Sequence, residues 1–245
     1  MALSEDATLS LAIVLGYLLG SIPFGLLLPK LAGFGDIRRI GSGNIGATNV
    51  LRTGSKKLAL AVLLLDVGKG ALAVVIAAGL GEAPVYLTAG IAVVFGHLFP
   101  IWLRRDRRGL FSLLVIIAGM AMALTQSSVP LQVLGVVLSL TASVTAWGGK
   151  GVATTLGILL AAAWPVGALA AITWLAGAVV FRRSSMGALS AMVAAPLYAA
   201  WLTDSQHAAF ALFLSLVVIL RHMDNIRRLI RGEEPRISLS GAPKP

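Results

Sequence analysis

The sequence predicts a polytopic, all-α integral membrane protein, and three observations carry that expectation. Of 245 residues, 58% are hydrophobic and only 12% are charged, with a mean hydropathy of +0.90. A water-soluble domain carries about 25% charged residues, so half that share leaves too little polar surface to face water on every side. The apolar residues also arrive in long runs, among them Leu58–Leu65, Leu113–Leu124 and Ala208–Leu220. In lipid each backbone N–H and C=O must be bonded within its own segment, which makes such runs helices. A membrane barrel would need roughly ten-residue segments of alternating polarity, and none is present. Finally, the basic residues other than Lys69 sit only in every second loop between the runs.

Taken in order, the first run, Leu9–Leu28, has no Lys or Arg before it and no small-residue cleavage site after it. It reads as a retained span and not as a signal peptide. Spans are expected at about 9–29, 58–80, 84–103, 166–181, 186–202 and 208–220. A shorter helix over 152–164 is expected to stop at Trp164–Pro165, since proline interrupts a helix. Basic groups lie at Lys30–Lys57, Arg104–Arg108, Lys150, Arg182–Arg183 and from Arg221 onward. The loops Gly81–Ala83, Thr125–Ser128 and Thr203–His207 hold no Lys or Arg. Every Lys and Arg except Lys69 therefore falls on one side, which the positive-inside rule makes cytoplasmic. The N-terminus is then outside and the C-terminus inside.

A net charge of +10 raises the question of nucleic acid. The bases are scattered among separate loops, however, and no aromatic-interleaved basic stretch is available to stack on bases. Membrane lipids with anionic headgroups, or small anionic substrates, account for the charge better. The absence of Cys excludes disulfides and thiolate metal sites.

The polar, Gly-rich segments all fall on the basic side. In Gly41–Arg52 the glycines Gly41, Gly43 and Gly46 let backbone N–H groups turn toward an anion. Ser42, Asn44, Thr48 and Asn49 add neutral hydrogen-bonding groups, and Arg52 adds a bidentate phosphate fork. A solvated turn would need less than this. The stretch is no Walker A loop, because Gly-Lys-Ser/Thr does not follow at the required spacing. Gly148-Gly149-Lys150-Gly151 opens an apolar helix, so a cation and free helix N-terminal N–H groups meet there. Lys150 could equally anchor a span end at the interface. His97 and His222 lie on the same side, each open to a bland structural role. Asp66 and Lys69, three apart inside a span, can neutralise each other as a structural pair or support a neighbouring site. No nucleophile–His–acid triad and no metal-spaced carboxylate–His cluster is evident.

These stretches resemble the acyl-phosphate:glycerol-3-phosphate acyltransferases of bacterial membranes, the PlsY family. The matches, in the family's order, are Gly20–Gly25, Gly41–Arg52, Leu65–Gly70, Gly96–Pro100, Gly148–Thr154 and Arg221–Leu229. They divide a single acyltransferase domain, 1–237, into family-like parts at 1–104 and 148–237, followed by a polar tail at 238–245. The resemblance implies a seven-span, monomeric enzyme of the bacterial cytoplasmic (inner) membrane that uses no metal and no cofactor. It implies acyl transfer from acyl phosphate to the 1-hydroxyl of sn-glycerol 3-phosphate, the first acylation of phospholipid synthesis. Lys150, Ser42 and His222 are then the expected catalytic residues. Asn44, Thr48, Asn49, Arg52, Gly149, Gly151, Asn225 and His97 are expected to bind substrate, with Asp66 and Lys69 in support.

One region departs from the pattern. In the family the Gly-Gly-Lys-Gly loop follows His-x-Phe/Tyr-Pro after a handful of residues, whereas 47 residues separate Pro100 from Gly148 here. The insertion, 105–147, holds two apolar runs, Leu110–Leu124 and Val129–Trp147, around a polar turn. Returning Lys150 to the side of Arg52 requires two crossings or none. A two-helix hairpin beside the seven family-like spans is the expectation, with an interfacial hairpin or an aberrant insertion as alternatives. Two rivals to the enzyme remain: a small-anion transporter, which would line the bilayer midplane with polar groups, and a homologue inactivated by the insertion. The second turns on whether the ends of the insertion meet.

Overall fold

The computed structural model describes residues 4–103, 114–119, 129–143 and 147–237, and among these every regular element is helical. In chain order the helices are α1 (Glu5–Ser21), α2 (Phe24–Leu31), α3 (Ala47–Val50), α4 (Lys56–Ala78), α5 (Ala83–Leu98), α6 (114–119) and α7 (Val129–Ser143). They continue with α8 (Val152–Ala162), α9 (Trp164–Phe181), α10 (Ser184–Leu202), α11 (Ser205–Leu220) and α12 (Met223–Ile230). Four stretches are long and apolar enough to cross a membrane: Glu5–Leu31, Lys56–Ala78, Trp164–Phe181 and Ser184–Leu202. α11 joins them only as a pair with α12, bent by 60°.

Several boundaries differ from the sequence expectation, each for a local reason. The first span is broken at Ile22–Pro23, and the Ile22 carbonyl freed there accepts a bond from Lys69 Nζ at 2.9 Å. α5 ends at Leu98 instead of running to 103, since the residue before Pro100 is pushed out of helical geometry. The short helix stops at Ala162, and Pro165 opens the next helix where it was expected to close the last. Proline lacks the N–H that a first helical turn leaves unused, so it starts a helix more readily than it ends one. The charged knot Arg104–Arg108, the turn Thr125–Ser128 and the tail 238–245 lie outside the described residues.

α5 forms the centre. It is apolar around its circumference and nearly all of it from Val85 to Leu98 is buried, as a helix enclosed by other helices must be. α1 and α4 flank it on one side, and α8 and α11 meet it on another. α9 and α10 pair with each other and lean on α8 and α11. Lipid tails are as apolar as leucine, so helices in a bilayer associate through close packing of small residues. Side chains at Gly16, Gly20 and Gly96 would strike backbone across the α1–α5 crossing, and side chains at Gly70 and Gly157 would strike the backbone of Thr154 and Val67 across α4–α8.

The segments on either side of the insertion meet. Gly148 donates its N–H to Leu98 O at 2.8 Å, and Gly149 donates to His97 O at 3.2 Å. Trp147 stands edge-on to Phe99 with ring centroids 4.8 Å apart and donates Nε1–H to Pro100 O at 3.4 Å. Within the insertion, Ser139 Oγ donates to Ile116 O at 3.3 Å, so α6 and α7 lie side by side. The family-like segments before and after the insertion are thus joined at one point.

The α4–α8 contact gives a direct test. Gly157→Val places a branched side chain against the Val67 carbonyl, an overpacking that costs about 1–3 kcal/mol. The apparent unfolding temperature of the detergent-solubilised protein should fall by at least ~2 °C; an unchanged melting curve contradicts the contact.

Candidate active site

At the end of the bundle that carries the basic segments, one cavity of about 430 Å³ gathers the separated motifs. Its polar walls come from Ser42, Asn44, Thr48, Asn49 and Arg52 in the α3 region, from Asp66 and His97 on α4 and α5, from Lys150 and Gly151, and from His222 and Asn225. Of the residues singled out in the sequence, Gly149 and Lys69 stand just behind the wall.

The α3 wall is built on Asn49. Its buried amide Nδ2–H₂ donates to Ile37 O at 3.0 Å and Ile40 O at 2.9 Å, and its Oδ1 accepts from Ser42 N–H at 3.0 Å. Gly41, at φ +56°, packs against the Arg52 side chain and sets the guanidinium at the cavity edge. Thr48 Oγ1 pairs with Ser184 Oγ at 2.9 Å, tying this wall to the start of α10. Asn44 Oδ1 is buried with no partner among the described residues, an acceptor left open at the cavity wall.

The opposite wall is cationic. Gly151 is the N-cap of α8 at φ +87°, and with Val152 and Ala153 it puts the positive N-terminal end of α8 at the cavity wall. His97 Nε2 fills the space that a Gly149 side chain would need, so no larger residue fits that step of the loop. Lys150 Nζ donates to Asn225 Oδ1, Asn225 Nδ2 donates to Glu234 Oε1 at 2.6 Å, and Arg228 Nε donates to Glu234 Oε2 at 2.8 Å. Burial lowers Lys150 to a pKa of about 8, helped by the nearby Arg228 and Arg221, while Glu234 pulls the other way. Burial likewise brings Arg221 down to about 10. His222 falls to about 4, through burial first and then the charge of Lys150, so its ring is neutral at neutral pH. Its Nδ1 lies 2.7 Å from the Val218 carbonyl, which can only accept. The proton is therefore on Nδ1, and Nε2 is left as an acceptor.

Beneath the cavity Lys69 Nζ and Asp66 Oδ1 pair at 2.7 Å, both 4% exposed, and His97 Nδ1 stands 3.7 Å from the same oxygen. Lys69 also lies over the Phe24 ring at 5.5 Å. The cavity continues into an apolar arm lined by Val67, Leu156, Leu160 and Trp174.

Sequence reasoning passed over Ser184, Ser185, Glu234 and Arg236, which also line the cavity. Gly232–Ile237 folds back on the turn between α9 and α10: Ile237 N–H donates to Arg182 O at 2.7 Å and Arg183 Nε to Glu234 O at 3.1 Å. Only the proximity of Arg182–Arg183 and the tail charges on one face hinted at this closure.

A family model described as glycerol-3-phosphate acyltransferase matches residues 10–146 and 108–232. The chain belongs to the glycerol-3-phosphate acyltransferase family. A member from Paramagnetospirillum magneticum, named glycerol-3-phosphate acyltransferase, is 49% identical over 222 residues, covering 91% of this chain and 90% of its own. One of the same name from Rhodospirillum rubrum is 46% identical over 250 residues, covering 96% of each chain. The crystal structure of PlsY, an integral membrane glycerol 3-phosphate acyltransferase, in its glycerol 3-phosphate form superposes with a TM-score of 0.72 at 29% identity, covering 94% of this chain and 96% of that one. Its lysophosphatidic acid form gives 0.70 at 28% identity over the same shares. This acyltransferase is accordingly a multi-pass membrane protein built from helices, with four or five membrane-length apolar stretches among its described residues.

Asn49 can be tested apart from any chemistry. Asn49→Ala leaves two buried carbonyls unmet at about 1–3 kcal/mol. Amide exchange across 37–49 should quicken roughly 5- to 100-fold, the equivalent in opening free energy; unaltered exchange would rule the hub out.

Proposed function

We propose that this acyltransferase moves an acyl chain from acyl phosphate to the 1-hydroxyl of sn-glycerol 3-phosphate, releasing lysophosphatidic acid and inorganic phosphate. The observation that carries this reading is a single cavity in which a cationic phosphate cradle opens into an apolar arm. An amphipathic donor with a phosphate at one end fits that division. In this reading the enzyme is a monomer of the bacterial inner membrane, with its N-terminus outside and the cavity on the cytoplasmic side. Seven family-like spans and the hairpin 105–147 make up the domain 1–237.

The donor is already activated, so positioning and charge stabilisation suffice and no side-chain nucleophile is required. The C1 hydroxyl oxygen attacks the acyl carbonyl carbon, and the bond from that carbon to the phosphate oxygen breaks. The hydroxyl proton passes to a substrate phosphate as inorganic phosphate leaves. Lys150 and the α8 N-terminus, with Gly149 and Gly151 allowing close backbone approach, stabilise the charge gathering on the leaving phosphate. Arg52, Ser42 and Thr48 hold the phosphate of the acceptor. Asn44 Oδ1 and His222 Nε2 accept from the glycerol hydroxyls, which orients the attacking oxygen. Asn225 fixes Lys150, His97 supports the Gly148–Gly149 turn, and Asn49 holds the α3 wall in shape. Asp66 and Lys69 support these groups from below as a mutually neutralised pair. The joined ends of the insertion favour an active enzyme over one disrupted at this point.

Purified protein in lipid vesicles should release phosphate from acyl phosphate only when glycerol 3-phosphate is present, and Lys150→Ala should remove this activity. No turnover by well-folded protein would sink the reading. The pH profile adds a second test. Lys150 is a cation below about pH 8 and neutral above it, so kcat/KM should fall as pH rises through about 8. Lys150→Arg should move that limb upward, because guanidinium keeps its proton throughout the range.

A further inference from the structure

α11 and α12 together form one broken span, and its dimensions fix where α12 lies. From its cap Asp204, a charged and exposed residue, α11 runs about 24 Å over 16 residues. α12 turns away by 60°, so its 8 residues, about 12 Å long, advance only about 6 Å further along the α11 axis. The sum is about 30 Å, the thickness of the hydrocarbon core. With α11 along the membrane normal, α12 therefore lies low against the bilayer boundary on the basic side and ends at headgroup depth.

The two faces of α12 differ. His222 and Asn225 are buried beside the cavity, and Ile226 and Leu229 are half-buried against the body. Arg227 and Arg231, four apart, stand exposed on the opposite face, with Ile230 at its edge. Ile230 is 81% exposed, more than any other large hydrophobic residue among the described ones. Arg182 and Arg236, exposed and brought to the same end by the bond from Ile237 to Arg182, add two further cations. Against these four arginines stand two exposed carboxylates, Asp224, which pairs with Arg227 at 3.0 Å, and Glu233. Glu234 is turned inward to Asn225 and Arg228. The outward face is thus net positive at the depth of lipid phosphates, and its one bare apolar side chain borders the hydrocarbon.

We propose that this outward face of α12 binds an anionic phospholipid. The lipid phosphate sits between Arg227 and Arg231, and one of its acyl chains covers Ile230. Cations at headgroup level beside an apolar residue are what holds a helix in a membrane interface. A soluble anion would answer the arginines and leave Ile230 bare. The site is distinct from the cavity, which the other face of the helix lines, and stands whether or not the cavity transfers acyl groups. It still reaches the cavity wall through the helix: a lipid that fixes α12 from outside steadies Asn225, the partner of Lys150.

The full chain in dodecylmaltoside micelles is titrated with phosphatidylglycerol or with phosphatidylcholine, and bound lipid is counted by native mass spectrometry. The tightest phosphatidylglycerol should bind at least ~10-fold better than phosphatidylcholine, and Arg227→Gln/Arg231→Gln should remove this preference. Lys56→Gln/Lys57→Gln deletes two exposed charges elsewhere and should change it less than ~2-fold. Asp224→Asn releases Arg227 from its carboxylate and should tighten phosphatidylglycerol about 5-fold, a gain that decides the matter even where the arginine variant does not fold. Equal affinity for the two lipids, equal loss in the two double variants, or no gain in Asp224→Asn each overturns the site. Displacement of phosphatidylglycerol by an equal concentration of inorganic phosphate overturns it too, since an ion with no chain would then suffice.

Discussion

Two backbone hydrogen bonds, from Gly148 N–H to Leu98 O and from Gly149 N–H to His97 O, hold the site together. They bring Lys150 to the end of α5 across an intervening 47 residues. Without them the α8 N-terminus would lose its place opposite the α3 wall, and the cavity would lack its cationic side. The glycines permit the contact in a literal sense. A side chain at Gly148 would meet the carbonyls of His97 and Leu98, and one at Gly149 would meet the His97 ring. Trp147 on Phe99 adds an apolar clamp at the same point.

That geometry places several cations out of water, a costly arrangement unless each finds a counter-charge or a hydrogen-bond partner. The Lys150–Asn225–Glu234–Arg228 chain supplies part of the compensation. Glu234 and Asp224 offset part of the Lys150 charge, but burial leaves an excess of cost that shows in the lowered values of Lys150 and Arg221. A phosphate dianion entering the cavity relieves this excess, so the same burial that weakens the empty site strengthens its hold on an anion. The Asp66–Lys69 pair lies below it and is already matched, which suits a supporting position.

Membrane packing explains why so many glycines stand away from loops. The α1–α5 and α4–α8 crossings bring backbone against backbone, and this closeness lets a chain of modest length enclose most of α5. Where close packing is absent, between α4 and α9, a trough remains. The cavity and its apolar arm are therefore what is left by helices that pack tightly elsewhere.

The sequence alone determined the helical membrane class and the common side of the basic, Gly-rich segments, because hydropathy, charge placement and Gly-rich motifs are local properties. It also placed Ser42, Asn44, Arg52, Lys150, His222 and Asn225 among the site residues, and all of them line one cavity. Tertiary structure decided the rest. Asn49 has the side chain of a ligand-binding residue, yet its amide is spent on Ile37, Ile40 and Ser42, and no local pattern reveals that. Glu234 and Ser184 carry no motif of their own and gain meaning only when the tail folds back to Arg182 and Arg183. Pro165 was misplaced as a helix stop because both ends of a helix can hold a proline nearby, and only the packing of α8 against α9 chose between them. The joining of the ends of 105–147 was beyond the sequence as well: contact between residues so far apart depends on the bundle that brings them together.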